Sequence, residues 1–287
     1  MKLNIKKINS LIKLALKEDI GKGDITSACT VPEGSQGLAL ILNKQEGVLA
    51  GIDICRQVFL TVDKELDVKA KIPDGTQLEY GQIVMTIQGS TKSILTAERT
   101  ALNFLQHLSG VATATDHFVK AVEGTRAKIL DTRKTTPGLR YLEKYAVACG
   151  GGQNHRMGLY DMALIKDNHI EAAGGVAAAI DQVRQKDKKI KIEIEVQSLA
   201  QLEEAAALEP DVIMLDNMKP EMMAEACRMV FSLPARDSGK LRLEASGNVS
   251  LENVRQIAEC GVDYVSVGAV THSAPALDFS LGLKSLG

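Results

Sequence analysis

From about residue 126 onward the chain keeps one rhythm, a short apolar run, then a polar or glycine residue, then a helix-like stretch. The apolar runs are Lys128 to Leu130, Met162 to Ile165, Lys191 to Val196, Val212 to Leu215, Leu241 to Ala245 and Tyr264 to Val267. Helix-like stretches lie between them, at roughly 139–149, 172–186, 199–208, 220–231 and 250–260. Strands separated by helices pair in parallel through crossovers, so an α/β fold with a parallel sheet is expected. Six such strands make an open sheet or a closed or nearly closed barrel, and the pattern does not choose between them.

The stretch before it reads otherwise. Ile8, Leu11, Ile12, Leu14, Ala15 and Leu16 form an apolar cluster at helical spacing. Strands are expected at 37–50, 66–72 and 83–87, with a turn at Pro73-Asp74-Gly75. A long helix begins near Ile94, with Leu95, Leu102, Leu105 and Leu108 marking its apolar side. Spacing puts Arg99 on that side too. A guanidinium there is aimed at a ligand or partner, or else pairs with Glu98 or snorkels.

Composition removes several function classes. A net charge of -2 and 3% aromatic content, with no Trp, fit neither a basic nucleic-acid surface nor a base-stacking platform. No apolar run is long enough to span a membrane, and no signal peptide is read at the basic start. The cysteines, at 29, 55, 149, 227 and 260, form no C-x-x-C pair, which leaves a reducing cytoplasm as the expected setting.

The polar residues of the second half cluster where the strands end. Asp131-Thr132-Arg133-Lys134 follows the first strand and Lys166-Asp167-Asn168-His169 the second. Glu193 and Glu195 alternate with apolar residues on the third, and Asp216-Asn217 follows the fourth. Ser246-Gly247-Asn248 follows the fifth, and Gly268-Ala269 the sixth. Ligands of parallel α/β proteins bind at these carboxyl ends. Arg133, Lys134, Arg156 and Lys166 are suited to carboxylates and phosphates. Glu195 and Asp216 suit ribose hydroxyls or Mg²⁺ carrying a pyrophosphate. The glycine loops suit a phosphate held by backbone N–H groups. Each piece also has a plain reading: a solvated loop at 133–134, a helix cap at 216–217, a turn at 246–248, a flexible C-cap at Gly150-Gly151-Gly152. His155 and His169 lack ligand spacing, and Cys149 reads as a buried inert thiol. Their joint placement on one rim is what points to a polyanionic small molecule.

The motifs resemble those of the quinolinate phosphoribosyltransferases, the carboxylating nicotinate-nucleotide pyrophosphorylases. The resemblance rests on Glu18 to Thr26, Glu98 to Thr113, Asp131 to Arg140, Gly150 to Gly158, Leu164 to His169, Glu193 to Val196, Met214 to Asn217, Glu244 to Asn248 and Val267 to Ser273. It runs nearly end to end, in order. Ala148 departs from it, since many members carry Arg there, which leaves the charge of that loop open.

The family implies an amino-terminal α/β sandwich domain over 1–112, to which 275–287 returns, and an open α/β barrel of parallel strands over 113–274. It implies transfer of the phosphoribosyl group of phosphoribosyl pyrophosphate (PRPP) to quinolinate with decarboxylation, in de novo NAD biosynthesis. It implies a homodimer, or a multiple of dimers, with Arg99 crossing the interface. Quinolinate then falls to Arg99, Arg133, His155, Arg156 and Lys166, with Thr132 in the same site. Lys134 faces the PRPP phosphates, and Glu195 and Asp216 engage ribose hydroxyls and Mg²⁺, directly or through PRPP or water. Catalytic roles are assigned to Lys134, Glu195 and Asp216. Ser246, Gly247, Asn248, Val267, Gly268 and Ala269 grip the 5′-phosphate. The competing readings are a relative acting on nicotinate or in molybdenum-associated chemistry, a Schiff-base aldolase using Lys166, and a PRPP sensor without turnover.

Overall fold

A computed structural model describes residues 3–231, 233–234 and 239–286; residues 1, 2 and 287 of the expected domain limits lie outside them. The chain divides into two compact units. One takes the chain up to Asp116, Leu142–Gly151 and the chain from Ala274; the other takes His117–Tyr141 and Gly152–Ser273.

The first unit opens with α1 (Ile5–Ile20), capped by Asn4, whose side chain accepts the Lys6 N–H. Ile8, Ile12 and Leu16, four residues apart, form its buried stripe, whereas Leu14 is 63% exposed and leaves the expected cluster. After α2 (Ile25–Thr30) come β1 (Gln36–Asn43), β2 (Gly47–Val48), α3 (Ile52–Val62), β3 (Asp67–Ala70), β4 (Gln77–Leu78), β5 (Ile83–Ser90) and α4 (Thr91–Ala121). The last strand, β12 (Phe279–Leu286), pairs antiparallel with β1, and the sheet order is β12-β1-β5-β3. The run expected at 37–50 breaks after Asn43. Its buried side chain donates to Gln45 O and Glu79 O and accepts the Gln82 N–H, so side-chain bonds replace the ladder there.

Along α4 as far as Leu108 the apolar residues at 0% exposure are Ile94, Ala97, Ala101, Leu105 and Leu108. This stripe corrects the expectation for Arg99, which lies on the far side of the helix from it and is exposed. Leu95 and Leu102 flank the stripe rather than centre it. No ion pair joins Arg99 to Glu98 among the described residues.

The second unit holds β6 (Lys128–Leu130), β7 (Ala163–Ile165), α6 (Asp167–Ala173), α7 (Val176–Lys186), β8 (Ile192–Val196), α8 (Leu199–Ala207), β9 (Val212–Asp216), α9 (Pro220–Phe231), β10 (Arg242–Ser246), α10 (Val254–Glu259), β11 (Tyr264–Ser266) and α11 (Ala269–His272). The intervening α5 (Arg140–Cys149) has most of its length in the first unit. The expected helix at 172–186 is two, because Gly174 and Gly175 both take positive φ, 89° and 137°. Its first part begins right after the second strand, so Lys166 is the N-cap of α6.

The six strands are parallel in the order β6-β11-β10-β9-β8-β7. Five strands are laid down in sequence and the first then closes against the sixth, which describes a sheet curved on itself. It stays open between β6 and β7, the first and second strands, where β7 is an edge and β6 makes only the isolated bridge Leu130–Gln153. Ile194, Ile213, Leu215, Leu243 and Ala245 are wholly buried, as expected of strands covered on both faces. No helix among the described residues is long and apolar enough to cross a membrane.

Candidate active site

At the end of β6 the buried Asp131 holds the loop that carries Arg156. Its carboxylate accepts Asn154 Nδ2–H at 2.6 Å and the His155 N–H at 2.9 Å. Arg140 ties the Arg133 loop to the same region. It donates through Nε to Thr135 Oγ1 at 3.1 Å, through Nη2 to Arg133 O at 3.4 Å and through Nη1 to Met157 O at 3.2 Å. Asp161 closes the loop by accepting the N–H groups of Met157 and Gly158. One guanidinium and two carboxylates therefore place two other guanidiniums, those of Arg133 and Arg156.

These two cations act on each other. Burial, and next the Arg133 charge, hold the Arg156 pKa below its ordinary value, while Glu193 pulls the opposite way. Arg156 donates through Nη1 to Met162 O at 3.1 Å. The Nε atoms of both arginines are buried without a hydrogen-bond partner. A like-charge pair with orphaned donors destabilises a protein unless an anion arrives to fill it.

Beside them, Lys166 Nζ reaches Glu195 Oε1 at 2.7 Å. His169, a lone histidine in the sequence, accepts the Lys166 N–H through Nδ1 and so serves the start of α6. Thr132 Oγ1 accepts the Lys134 N–H at 3.0 Å.

The remaining rim residues are brought together around two glycines. Asn217 N–H donates to Ser246 O at 2.9 Å, and Asn217 Nδ2 donates to Asp216 Oδ1 at 3.0 Å. Asn248 Nδ2 donates to Asn217 Oδ1 at 3.2 Å. Gly247 has φ 102°, and a Cβ there would come within 2.1 Å of Asn217 Oδ1. A Cβ on Gly268 would meet Lys134 Cδ and His272 Nε2 at 3.1 Å each. Thr271 Oγ1 donates to Lys134 O at 2.7 Å and locks the Lys134 turn to the last loop. Val267 differs from its expected role. Its N–H donates to Leu130 O within the sheet, so the backbone donors left for a phosphate are those after it, at Gly268 and Ala269.

His155, Glu193 and Glu244 place three possible ligand atoms within 4.8 Å of one another. The imidazole points to a proton rather than a metal here. Its Nδ1 accepts the Arg156 N–H at 2.8 Å, so the ring proton is on Nε2 and no lone pair faces the carboxylates. Nε2 stands 2.8 Å from Glu193 Oε2 and 3.7 Å from Glu244 Oε2. Burial, and then the Glu193 charge, push the Glu244 pKa up to about 8. In the sequence Glu193 stands among the rim residues without a role, and Glu244 only as part of a motif. The available signal was an acid flanked by apolar residues within a parallel strand, Glu193 between Ile192 and Ile194, and Glu244 between Leu243 and Ala245. Asp131 and Arg140 stand inside the specific motifs but were not singled out. Cys149 behaves as expected of an inert thiol, its pKa raised by burial to about 11.

Comparison with known proteins now decides the family. The model of the quinolinate phosphoribosyl transferase C-terminal domain matches residues 111–282, and that of the N-terminal domain matches 24–109. The chain belongs to the quinolinate phosphoribosyl transferase family. A member named nicotinate-nucleotide pyrophosphorylase [carboxylating], from Mycobacterium leprae, is 45% identical over 280 residues, covering 95% of each chain. Quinolinate phosphoribosyltransferase [decarboxylating] 1b of Nicotiana tabacum is 42% identical, covering 97% of this chain and 83% of its own. The crystal structure of NadC from Streptococcus pyogenes superposes with a TM-score of 0.94 at 43% identity, with 100% of both chains covered. The family and the open-barrel fold are therefore those the motifs implied.

Proposed function

We propose that this chain is a nicotinate-nucleotide pyrophosphorylase of the carboxylating kind, joining quinolinate to PRPP and releasing pyrophosphate and carbon dioxide, in NAD biosynthesis. The observation that carries the substrate is the pair of half-buried guanidiniums, Arg133 and Arg156, with a buried, orphaned Nε on each. Quinolinate has two carboxylates on neighbouring ring carbons. Two converging forks and the Lys166 ammonium neutralise such a dianion, and each charge-assisted hydrogen bond is worth about 1.5–3 kcal/mol. In this reading Thr132 shapes the Arg133 turn, and His155, with both ring nitrogens turned to protein atoms, holds Arg156. Arg99, exposed and without an ion pair among the described residues, is donated across the interface of a homodimer or a multiple of dimers.

The sugar half falls to the other rim. Lys134, against Gly268, meets the PRPP phosphates. Ser246, Gly247, Asn248, Gly268 and Ala269 receive the 5′-phosphate, the glycines admitting it where a Cβ would collide with Asn217 or Lys134. Glu195 and Asp216 hold the ribose hydroxyls and carry the positive charge that grows at C1 as the pyridine nitrogen attacks and pyrophosphate leaves. No side chain is required as a general base. After decarboxylation, the fixed cations stabilise the electron pair left on the carbon beside the ring nitrogen until a proton from water takes it and completes the product.

The carboxylate-only donor set of Glu195 and Asp216 suits Mg²⁺, which prefers oxygen ligands and keeps waters and substrate phosphates. These two residues would hold it, directly or through PRPP or water, and it supplies charge neutralisation for the leaving pyrophosphate. We place the enzyme in the cytoplasm. The test is turnover of quinolinate and PRPP by the purified chain with Mg²⁺, following nicotinate mononucleotide and carbon dioxide together. Equal amounts of both products are expected. Turnover of nicotinate alone would overturn the reading.

A further inference from the structure

We propose that Glu193 and Glu244 are positioning residues for Arg156, acting through the ring of His155. The inference deepens the functional reading and rests on it, since it takes Arg156 to hold a quinolinate carboxylate. Residues 154–158 belong to no helix or strand, so the direction of Arg156 is set by side chains and not by a backbone ladder. Asp131 fixes the entrance to this segment at Asn154 and at the His155 N–H. The next peptide is held from the other side, where His155 Nδ1 accepts the Arg156 N–H at 2.8 Å. That bond fixes the backbone at the arginine's own Cα and hence the start of its side chain.

The ring can hold the backbone only if the ring itself is held. Its side chain is 8% exposed, and its Nε2 end lies between Glu193 and Glu244, whose side chains are 0% and 1% exposed. Those two acids come from β8 and β10, which flank β9 in the sheet. Ser266 Oγ, on the neighbouring β11, donates to Glu244 Oε1 and fixes that carboxyl in turn. The imidazole is a peg, its head lodged between acids of two strands of the sheet and its other nitrogen carrying the loop. The Nε2 edge of the ring faces the two acids, within ion-pair distance of Glu193 at 2.8 Å and next to Glu244 at 3.7 Å. Such support is what a binding guanidinium needs, because a group on an irregular loop is only as well placed as the residues behind it.

The test is a double-mutant cycle read in separate KM values. Glu193→Ala should raise the KM for quinolinate about tenfold or more while the KM for PRPP stays within about twofold. In a His155→Ala background the same substitution should change neither, since the route to Arg156 is already cut. Glu193→Gln keeps an oxygen facing Nε2 and should recover most of the lost affinity. Should Glu193→Ala fail to fold, Glu193→Leu, which fills the same volume, takes its place in the cycle. Additive effects in the two backgrounds, or equal rises in both KM values, would overturn the inference while leaving the function intact. A wild-type protein that does not convert quinolinate and PRPP would overturn the functional reading, and this inference with it.

Discussion

The two units treat buried polar groups in opposite ways. In the first, Asn43 is fully buried and all its hydrogen-bonding atoms are engaged, by Gln45, Glu79 and Gln82. Asp74 accepts from the N–H groups of Gly51 and Ile52 at 3.0 and 2.9 Å and from Tyr145 Oη at 2.7 Å. Among the described residues, the buried side-chain atoms without partners in that unit are two neutral oxygens, of Asn9 and Thr91. In the second unit, among the described residues, the unpartnered atoms include the Nε atoms of two guanidinium groups, those of Arg133 and Arg156. A buried polar group whose partners are complete holds a fold together. A buried charge left incomplete at strand ends stores a cost that a ligand offsets.

The comparison breaks most readily at Arg133. Arg133→Ala should lower kcat/KM for quinolinate by more than about a hundredfold, from the loss of about 3 kcal/mol of charge-assisted binding. Its melting temperature should stay level or rise, because a like-charge contact with Arg156 is relieved. A cooperative loss of melting temperature together with activity would make Arg133 a structural residue and erase the contrast. Asp74→Ala is the converse case. It strands two N–H groups and the Tyr145 hydroxyl, so chemical denaturation should show a loss of about 2–4 kcal/mol, with kcat/KM of the folded protein retained.

A smaller effect sharpens the division within the second unit. Gly247→Ala drives a methyl group into Asn217 and strains a backbone at φ 102°, at a cost of roughly 1–3 kcal/mol. Its kinetic penalty should fall on the KM for PRPP and spare quinolinate. The smallest effect is in pH. Glu244 is pushed from its ordinary 4.5 up to about 8, so between those values the folded state binds the extra proton. The stability due to this group is complete below the lower value and is lost as pH rises through the upper one. Thermal melts across this window should decline with pH in the wild type and decline less in Glu244→Gln.

Much of this was legible in the chain itself. All six parallel strands appear as mainly apolar runs, because a strand covered on both faces buries apolar side chains on each. The strand ends, and with them Arg133, Lys134, Lys166, Asp216 and Ser246, follow from those runs. What failed depends on direction and pairing. Arg99 and Leu14 were placed on buried faces by spacing from flanking leucines, when the true stripe of α4 runs through Ile94, Ala97 and Ala101. Gly174-Gly175 reads as an ordinary small pair until its positive φ values cut one helix into two. Glu193 and Glu244 lie 51 positions apart in the sequence, and only the sheet order brings both to the ring of His155. Val267 shares a motif with Gly268, but its N–H is already committed to Leu130, a bond that no local pattern announces.

The central claim is that two incomplete cations wait for a doubly charged ring. Calorimetric affinities of quinolinate and nicotinate, measured for the wild type and for Arg133→Ala, test it most directly. The account predicts that the wild type prefers quinolinate by more than about tenfold and that the preference collapses in the variant as quinolinate binding falls. An unchanged ratio in Arg133→Ala, or equal affinity for the two acids in the wild type, would contradict it.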